Sequence, residues 1–462
     1  MNKFSDSRAL LESAAQRAIS YLETLPKRAV APTAEALARL PELDTSLQDD
    51  GSDPQEVLRL LDEVVSPATV AMAGPRFFGF VIGGAQPATL AANWLAGAWD
   101  QNSALHRVAP ATALLERIAL DWLLELFGLP RDCGGGFVTG ATMANFTALA
   151  AARHALLRRA GWNVEAEGLF GAPPITVVVG EEAHPTLFKS IGLLGLGRER
   201  LLRVPVDGQG RMRADRLPEL STPAIVCTQA GNVNTGAFDP IGEICRRVAS
   251  GNVWVHVDGA FGLWAAASPR LAQLAEGLGE ADSWATDAHK WLNVPYDCGI
   301  ALVRDAYALR GAMAITAEYL PTQSDERNPS DYTPELSRRA RGVEVWAALR
   351  TLGRKGVAEL VEGACGHARR FAEGLTEAGF QVINDVVLNQ VLVSFGEPGL
   401  TERVIAELQR DGTCWCGGTA WQGRAAMRIS VSSWATTAED VELSLEAMRR
   451  AARRCRGDSS LG

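Results

Sequence analysis

The stretch Asp282-Ser283-Trp284-Ala285-Thr286-Asp287-Ala288-His289-Lys290-Trp291 joins a short apolar run directly to a histidine and a lysine. A solvated surface lysine seldom follows an apolar run so closely. A lysine amine at a buried strand end can act as a nucleophile once it loses its proton, which burial and neighbouring positive charge favour. Taken alone, the stretch leaves a surface lysine at a strand end as an equal alternative.

The apolar part of this stretch is one of several similar runs that alternate with helical periodicity. The other runs lie at 175–179, 224–227, 253–257 and 299–303, and the helical stretches at 110–127, 141–158 and 239–250. β-Branched, continuously apolar runs are typical of strands that are covered on both faces. The alternation predicts an α/β fold with a mainly parallel sheet, helices on both of its faces, and a ligand site outside the carboxyl ends of the strands.

The flanking regions predict two further parts of the chain. Residues 1–66 hold an amphipathic helix at 6–24 and a second helix at roughly 54–66, with little capacity for a core, so we expect this segment to pack on another subunit or on the main domain. Residues 67–342 form the predicted large domain, and residues 343–462 a smaller α+β domain. In that last part, helices at 343–378 and 438–454 bracket apolar runs at 386–395 and 426–431.

The segment 318–342 at the end of the large domain is polar, contains three prolines and shows no clear period. A long stretch of this kind within a compact domain is usually a functional lid or is disordered. We therefore predict a mobile loop at this position.

Composition limits the partners and the compartment. The net charge of −9 disfavours nucleic acid and anionic membranes as partners, and no apolar run reaches the ~18 residues of a membrane helix. The N-terminus lacks an apolar signal core, so a cytoplasmic location is expected by default. The eight cysteines include no Cys-x-x-Cys pair, and Cys414-Trp415-Cys416 is too tight for an ordinary zinc site. We expect reduced, structural thiols and no metal.

The segment His256-Val257-Asp258-Gly259-Ala260-Phe261 places a carboxylate at a strand end, upstream of Lys290. A buried carboxylate beside a pyridine nitrogen keeps that nitrogen protonated, as pyridoxal 5′-phosphate (PLP) requires to act as an electron sink. Ala260 is small enough to lie against a flat ring. Taken alone, an aspartate at a strand end is more often a helix cap or part of a turn.

Two more segments suit a flat, phosphorylated ligand. Gly134-Gly135-Gly136-Phe137-Val138-Thr139-Gly140-Ala141-Thr142 runs into a helix, and a glycine-rich turn before a helix N-terminus can bind phosphate. In Glu182-Ala183-His184-Pro185-Thr186, a histidine follows the strand at 175–179, where its ring can stack on a cofactor. A plain loop and a capping or core histidine are the commoner interpretations of each segment alone.

Together and in this order, the segments resemble the group II PLP-dependent decarboxylases, the aromatic-amino-acid, histidine and glutamate decarboxylases of fold type I. The resemblance covers roughly residues 60–450. Further matching strings are Gly74-Pro75-Arg76-Phe77-Phe78-Gly79-Phe80, Gly231-Asn232-Val233-Asn234-Thr235-Gly236-Ala237-Phe238-Asp239 and Met427-Arg428-Ile429-Ser430.

The resemblance implies a set of cofactor-binding roles. Lys290 binds PLP covalently, and Asp258 pairs with the ring nitrogen. His184 and Ala260 pack on opposite faces of the ring. The residues expected near the phosphate are Gly140, Ala141, Thr142 and His289.

The resemblance also implies substrate contacts. Arg428 matches a position that can pair with the substrate carboxylate. Phe77, Phe78 and Phe80 would suit an aromatic or other apolar side chain, although they could equally be core residues. Tyr332 resembles a mobile-loop tyrosine that delivers a proton after CO2 leaves. Members of the family are homodimers with their active sites at the interface.

Two departures from the family pattern bear on reaction type. Asp287 stands where the family usually has Asn, so this carboxylate is expected to point elsewhere or to carry a proton. The segment after Tyr332 is shorter than in the animal aromatic decarboxylases and lacks their loop tryptophan. We predict decarboxylation of an L-amino acid to the amine and CO2.

There are four alternatives to this prediction. Transamination and decarboxylation-coupled oxidative deamination use the same scaffold. A non-catalytic PLP-fold binding protein is more remote, because such a chain would be expected to lose Lys290, Asp258 or His184. A metal site using His256 and Asp258 lacks a plausible third ligand.

Overall fold

The structure is a computed structural model that describes residues 7–220, 223–249, 251–315 and 326–457. The helices are α1 (Ser7–Thr24), α2 (Ala34–Ala38), α3 (Pro54–Leu60), α4 (Ser66–Ala68), α5 (Pro87–Trp99), α6 (Pro110–Phe127), α7 (Ala141–Arg159), α8 (Val164–Glu167), α9 (Pro185–Leu193), α10 (Ile241–Val248), α11 (Ala306–Met313), α12 (Gly342–Glu377), α13 (Pro398–Asp411) and α14 (Ala438–Arg456). The strands are β1 (Gly134–Val138), β2 (Thr176–Gly180), β3 (Leu202–Val204), β4 (Ala224–Gln229), β5 (Val253–Asp258), β6 (Ser283–Asp287), β7 (Gly299–Val303), β8 (Gln381–Val382), β9 (Gln390–Ser394), β10 (Gly417–Trp421) and β11 (Arg424–Ser430).

The main sheet has the strand order β1-β7-β6-β5-β4-β2-β3. Strands β2 to β6 pair in parallel, while β7 is antiparallel to both β1 and β6. Alternate residues of β2 face opposite layers. Val177 packs with residues of α7, α9 and α11, whereas Val178 packs with Ile244 of α10. The predicted fold class, a mainly parallel sheet with helices on both faces and a smaller sheet near the C-terminus, is confirmed.

Strand β1 corrects the sequence interpretation of 134–142, because most of the glycine-rich segment is a buried edge strand. Glycine has low strand propensity, so packing rather than local preference decides this element. A Cβ at Gly135 would lie 2.8 Å from Leu302 Cδ2, and one at Gly136 would lie 2.6 Å from Thr333 Cγ2. The glycines therefore permit close packing within the fold, and only Thr139 and Gly140 form the turn.

The chain divides into two compact units that are both discontinuous in sequence. One comprises residues 1–82, 370–382 and 393–462, and the other 83–369 and 383–392. The second unit contains the main sheet. The first contains α13, α14 and most of a four-stranded sheet with the order β10-β11-β9-β8. The three-part division predicted from sequence, with boundaries after residues 66 and 342, stays a prediction.

Two global features concern the cysteines and the helices. All eight cysteines lie within the described ranges and are free, and most of them are buried. Among the described helices, none combines the length and the apolar character that crossing a membrane requires.

Candidate active site

The carboxyl ends of four parallel strands bring the predicted cofactor residues to one edge of the main sheet. Gly140 follows β1, His184 follows β2, Asp258 ends β5, and Lys290 follows β6. The start of β7 closes against this edge, because a Cβ at Gly299 would lie 2.5 Å from the Gly140 backbone. Residues distant in sequence thus meet where a parallel sheet binds its ligand.

Lys290 is mostly buried, with 19 % of its side chain exposed, and its Nζ lies 3.1 Å from Asp287 Oδ2. The Lys290 carbonyl accepts a hydrogen bond from Asn293 Nδ2 at 2.7 Å, which ties down the backbone of the turn. The charged group that contacts Lys290 is therefore a carboxylate and not a second cation.

Asp287 points into the site. Its Oδ1 accepts the backbone N–H of Ala141, the first residue of α7, at 2.6 Å. Helix N-termini favour anions because their first N–H groups lack partners within the helix. The departure from the family pattern therefore places a carboxylate at the N–H group where the resemblance puts the cofactor phosphate, and the carboxylate does not point elsewhere.

His289 is held as a neutral donor beside Gly140, with its Nε2 3.6 Å from Asp287 Oδ1. Its Nδ1 accepts the backbone N–H of Cys298 at 3.0 Å, so the proton of the neutral ring lies on Nε2. Burial lowers the pKa of His289, and the Tyr296 ring stacks on it at a centroid distance of 4.2 Å. A Cβ at Gly140 would lie only 3.2 Å from His289 Cε1, so glycine keeps this cradle open.

Asp258 is 4 % exposed and accepts hydrogen bonds on both carboxylate oxygens. Asn145 Nδ2 donates to Oδ2 at 3.1 Å, and the Ala260 backbone N–H donates to Oδ1 at 3.3 Å. Burial raises the pKa of Asp258, while the charges of His184 and Lys290 and the hydrogen bond from Asn145 lower it. Sequence reasoning missed Asn145, although a buried polar residue in the apolar first turns of α7 could have drawn attention to it.

His184 is the N-cap of α9, as the commoner interpretation of a lone histidine anticipated. Its Nδ1 accepts the backbone N–H of Thr186 at 3.3 Å and lies 2.7 Å from Thr186 Oγ1. These contacts fix the orientation of the ring. Because the charge of His184 also lowers the pKa of Asp258, capping and a position at the site occur together.

Tyr332 lies in a short 3-10 helix, Pro329–Tyr332, and is partly buried against the core around α7 and α11. The Arg327 guanidinium covers its ring at 4.3 Å. Buried Arg338 fastens the same segment, with Nη1 2.7 Å from Glu116 Oε2 and Nη2 2.8 Å from the Phe137 carbonyl. Residues 318–325 of the predicted mobile loop lie outside the described residues.

The predicted substrate residues belong to the other compact unit. Phe77 stacks on Trp415 at 4.9 Å, and Phe80, 62 % exposed, stacks on the same indole at 5.5 Å. Phe78 is fully buried edge-on against Phe371, as a core residue would be. Trp415 was missed as an aromatic partner, although it is a less buried residue between two buried cysteines.

Arg428 lies on β11 in the same unit, and burial lowers its pKa. Phe80 and Val81 both adopt positive φ angles, 53° and 61°. Such backbone strain in non-glycine residues clusters at functional sites.

The site in the main-sheet unit fits PLP on three counts. Lys290 supplies an amine, Asp258 a buried carboxylate, and Gly140 an open cradle between an imidazole N–H and a helix N-terminus. Asp287 is the exception, because it adds negative charge where a phosphate would bind. In the described ranges, no three His, Cys, Asp or Glu side chains are grouped as a metal site requires.

Comparison with known proteins gives a consistent result. Residues 37–396 match the family described as "pyridoxal-dependent decarboxylase conserved domain". The chain is 27 % identical to tryptophan decarboxylase 1 of Oryza sativa subsp. japonica, over 93 % of this chain and 90 % of that protein. It is 28 % identical to the acidic amino acid decarboxylase GADL1 of Homo sapiens, over 78 % of this chain and 71 % of that protein. A crystal structure of Oryza sativa TDC with PLP and tryptamine shares the fold, with a TM-score of 0.91, 24 % identity, and coverage of 98 % and 99 % of the two chains.

Proposed function

This chain belongs to the pyridoxal-dependent decarboxylase family, and from that premise we propose that it converts an L-amino acid with an aromatic or other apolar side chain into the amine and CO2. It is a PLP-dependent amino-acid decarboxylase. The observation that carries the assignment of its site is the meeting of Lys290, Asp258 and the Gly140–Ala141 turn at one edge of the main sheet.

Eight residues of this chain would hold the cofactor. Lys290 would bind its aldehyde carbon covalently, and Asp258 would bind its ring nitrogen. His184 and Ala260 would cover the two ring faces. The groups proposed for the phosphate are Gly140, the Ala141 N–H, the Thr142 hydroxyl and His289 Nε2–H. When bound, PLP supplies the electron sink that accepts the electron pair released as CO2 leaves.

The residues around the site then have separable tasks. His289 offers the phosphate an N–H donor without adding positive charge, because burial and the Cys298 N–H keep the ring neutral. Asp258 keeps a proton on the ring nitrogen. Arg428 is proposed to bind the substrate carboxylate, since a partly dehydrated guanidinium pairs strongly with a carboxylate. Tyr332 is proposed to deliver the proton that replaces CO2, which requires its ring to leave the Arg327 contact or to serve a second subunit.

The proposed substrate class is supported by an exposed aromatic surface in the unit that holds Phe77 and Phe80. Phe80 is exposed beside Trp415, so the two rings offer an apolar surface for a flat side chain. Phe77 also stacks on Trp415 and so helps to hold the indole in place. Phe78 is assigned to the core. Relatives named for tryptophan and for acidic amino acids both match the chain, so the local aromatic cluster decides our choice.

A two-fold dimer is the proposed active unit. Helix α5 buries only Thr89, while Trp94, Leu95 and Trp99 are exposed on it. Helix α1 buries no residue, and its Leu11 and Ile19 are exposed. Exposed apolar side chains on helices of this kind favour burial against a second copy. Sedimentation should give a dimer for the wild type and a monomer for Trp94→Glu with Trp99→Glu, and a fully active wild-type monomer would contradict the proposal.

A cytoplasmic location is part of the proposal. Free, mostly buried cysteines suit a reducing compartment, where disulfides do not persist.

The test of function is a substrate screen with product analysis. The PLP-loaded protein is incubated with each of the twenty amino acids and DOPA, and CO2, amine, keto acid, aldehyde and ammonia are measured. We expect CO2 and amine in equal amounts from an aromatic or apolar substrate, and neither from Lys290→Ala. Keto acid without CO2 would instead identify a transaminase, and aldehyde with ammonia an oxidative deaminase.

A further inference from the structure

A row of buried polar side chains extends from Asp258 into the protein, away from the groups that would bind the cofactor. Asn145 Nδ2 lies 3.1 Å from Asp258 Oδ2, and Asn145 Oδ1 lies 2.8 Å from His256 Nε2. His256 Nδ1 lies 2.9 Å from Ser283 Oγ, which accepts the indole N–H of Trp254 at 2.8 Å. All of these side chains are at most 4 % exposed.

Both ends of the row determine the direction of every hydrogen bond. The Trp254 indole can only donate, and an ionised Asp258 can only accept. Asn145 must therefore turn its NH2 group to Asp258 and its carbonyl to His256, which places the imidazole proton on Nε2. Nδ1 then accepts from the Ser283 hydroxyl, whose oxygen accepts from Trp254. Four donors point the same way and end on the carboxylate.

Burial supports this arrangement from within. Burial lowers the pKa of His256 to about 3, so the ring is neutral and keeps one donor and one acceptor. A protonated ring would turn a second donor toward Ser283 and leave the serine hydroxyl hydrogen without this acceptor. Consecutive hydrogen bonds with one direction polarise each other and strengthen the last one.

We propose that Asn145, oriented by His256, Ser283 and Trp254, is a positioning residue that keeps Asp258 ionised and directed at the cofactor ring nitrogen. The inference rests on the proposed role of Asp258. Its consequence is that the acidity of this carboxylate depends on residues that never touch substrate or cofactor.

The other groups near Asp258 do not replace Asn145. The charges of Lys290 and His184 lower the pKa of Asp258, but the charge on Lys290 changes when its amine binds the cofactor aldehyde. The Cys227 thiol on β4 adds no charge, because burial raises its pKa. The Asn145 donor is neutral and fixed by packing, so it acts on Asp258 in every state of the site.

The experiment reads the ring nitrogen directly. Wild type, Asn145→Leu, His256→Phe and Ser283→Ala are loaded with PLP labelled with 15N in the ring, and the 15N chemical shift is followed with pH. In Asn145→Leu we expect the pKa of the ring nitrogen to fall by about one unit and kcat to fall about tenfold or more, as loss of a hydrogen bond to a charged group implies. His256→Phe and Ser283→Ala should show smaller changes in the same direction.

Rescue and control variants separate positioning from general damage. His256→Gln can place an amide N–H near the position of Nε2, so it should restore the 15N shift toward the wild-type value. His154→Gln alters a different buried histidine, which lies on α7, contacts Glu165 and is not part of the row. This control variant should leave the shift unchanged. Ser283→Ala removes one oxygen atom and provides the test should Asn145→Leu fail to fold.

Two outcomes distinguish failure of this inference from failure of the proposed function. If Asp258→Asn changes the 15N titration while Asn145→Leu, His256→Phe and Ser283→Ala titrate as wild type, the positioning role is wrong and the role of Asp258 stands. If Asp258→Asn also titrates as wild type, Asp258 does not bind the ring nitrogen and both proposals fail.

Discussion

Two buried carboxylates, Asp258 and Asp287, lie at the same edge of the main sheet, yet their partners differ in kind. Asp258 accepts hydrogen bonds from a neutral amide and a backbone N–H, whereas Asp287 pairs with the Lys290 ammonium and caps α7. The charge of Asp258 is thus supported by neutral donors and stays available to a cationic ring nitrogen. The charge of Asp287 is balanced locally, at the end of the site that a phosphate would need. Two carboxylates that are both buried thus differ in function: Asp258 keeps its charge available to a ligand, whereas the charge of Asp287 is neutralised within the protein.

Removal of Lys290 should have the largest effect, since Lys290 pairs with Asp287 and its charge also acts on Asp258. Lys290→Ala should lose the visible absorption of the covalently bound cofactor and at least ~10³-fold in activity. Absorption spectra and CO2 release measure both effects. Lys189→Ala, an exposed lysine of α9, is the control and should retain both. A yellow, borohydride-reducible Lys290→Ala protein would locate the covalent bond elsewhere.

The ring-nitrogen end is tested by Asp258→Ala. This variant should keep covalently bound cofactor but lose at least ~10²-fold in kcat, because the ring nitrogen no longer has a carboxylate to hold its proton. Steady-state kinetics at saturating PLP measure the loss. A kcat near that of the wild type would remove Asp258 from this role.

Tyr332 contacts neither Asp258 nor Asp287 in the described contacts, and its variant tests whether a third group takes part in the reaction. If Tyr332 delivers the proton, Tyr332→Phe should bind substrate normally but form amine ~10- to 100-fold more slowly. Part of the flux should then give aldehyde with oxygen uptake, which stopped-flow spectroscopy with product analysis would detect. Tyr307→Phe, which alters an exposed tyrosine of α11, is the matched control. Amine formation at the wild-type rate without aldehyde would show that another group is the proton donor, and His184 is then the next candidate.

The phosphate end is tested by Asp287→Asn. Removing a negative charge from the α7 N-terminus should tighten PLP binding about tenfold, because a phosphate no longer meets a like charge. Binding of pyridoxal, which lacks the phosphate, should change much less. Spectral titration of the cofactor-free protein measures both constants. Weaker PLP binding in the variant would indicate that Asp287 carries a proton and donates it to the phosphate.

The smallest expected effect is a pH dependence of the free energy of unfolding that arises from His256, one of the neutral groups behind Asp258. The pKa of His256 is about 3 in the folded protein and 6.5 in its ordinary state, so the unfolded chain takes up this proton first. The stability that neutral His256 contributes is complete above pH 6.5 and is lost as pH falls toward 3. Its share of the slope is at most about 1.4 kcal/mol per pH unit. Urea unfolding of the cofactor-free protein between pH 7 and 4.5 should therefore be less pH-dependent in His256→Gln, and equal slopes would show that His256 is not buried as a neutral ring.

Much of the site was predictable because its residues follow strands that were recognisable in isolation. Lys290, Asp258 and His184 each lie at the end of a strand or within four residues of it, and parallel strands end at one edge of a sheet. Their convergence therefore required only that these strands belong to one sheet. Strand β1 escaped this reasoning, since Gly134, Gly135 and Gly136 carry no strand propensity.

The sequence by itself determined the fold class, the order of the cofactor motifs and the chemical type of each group, because these depend on local pattern and residue identity. Only the tertiary structure decided what the side chains contact. Asn145 and Asp258 are 113 residues apart, and Asp287 and Ala141 are 146 apart, so no local periodicity relates them. The direction of Asp287 and the donors behind Asp258 follow from packing between α7 and the sheet, and that packing exists only once strands far apart in sequence have paired.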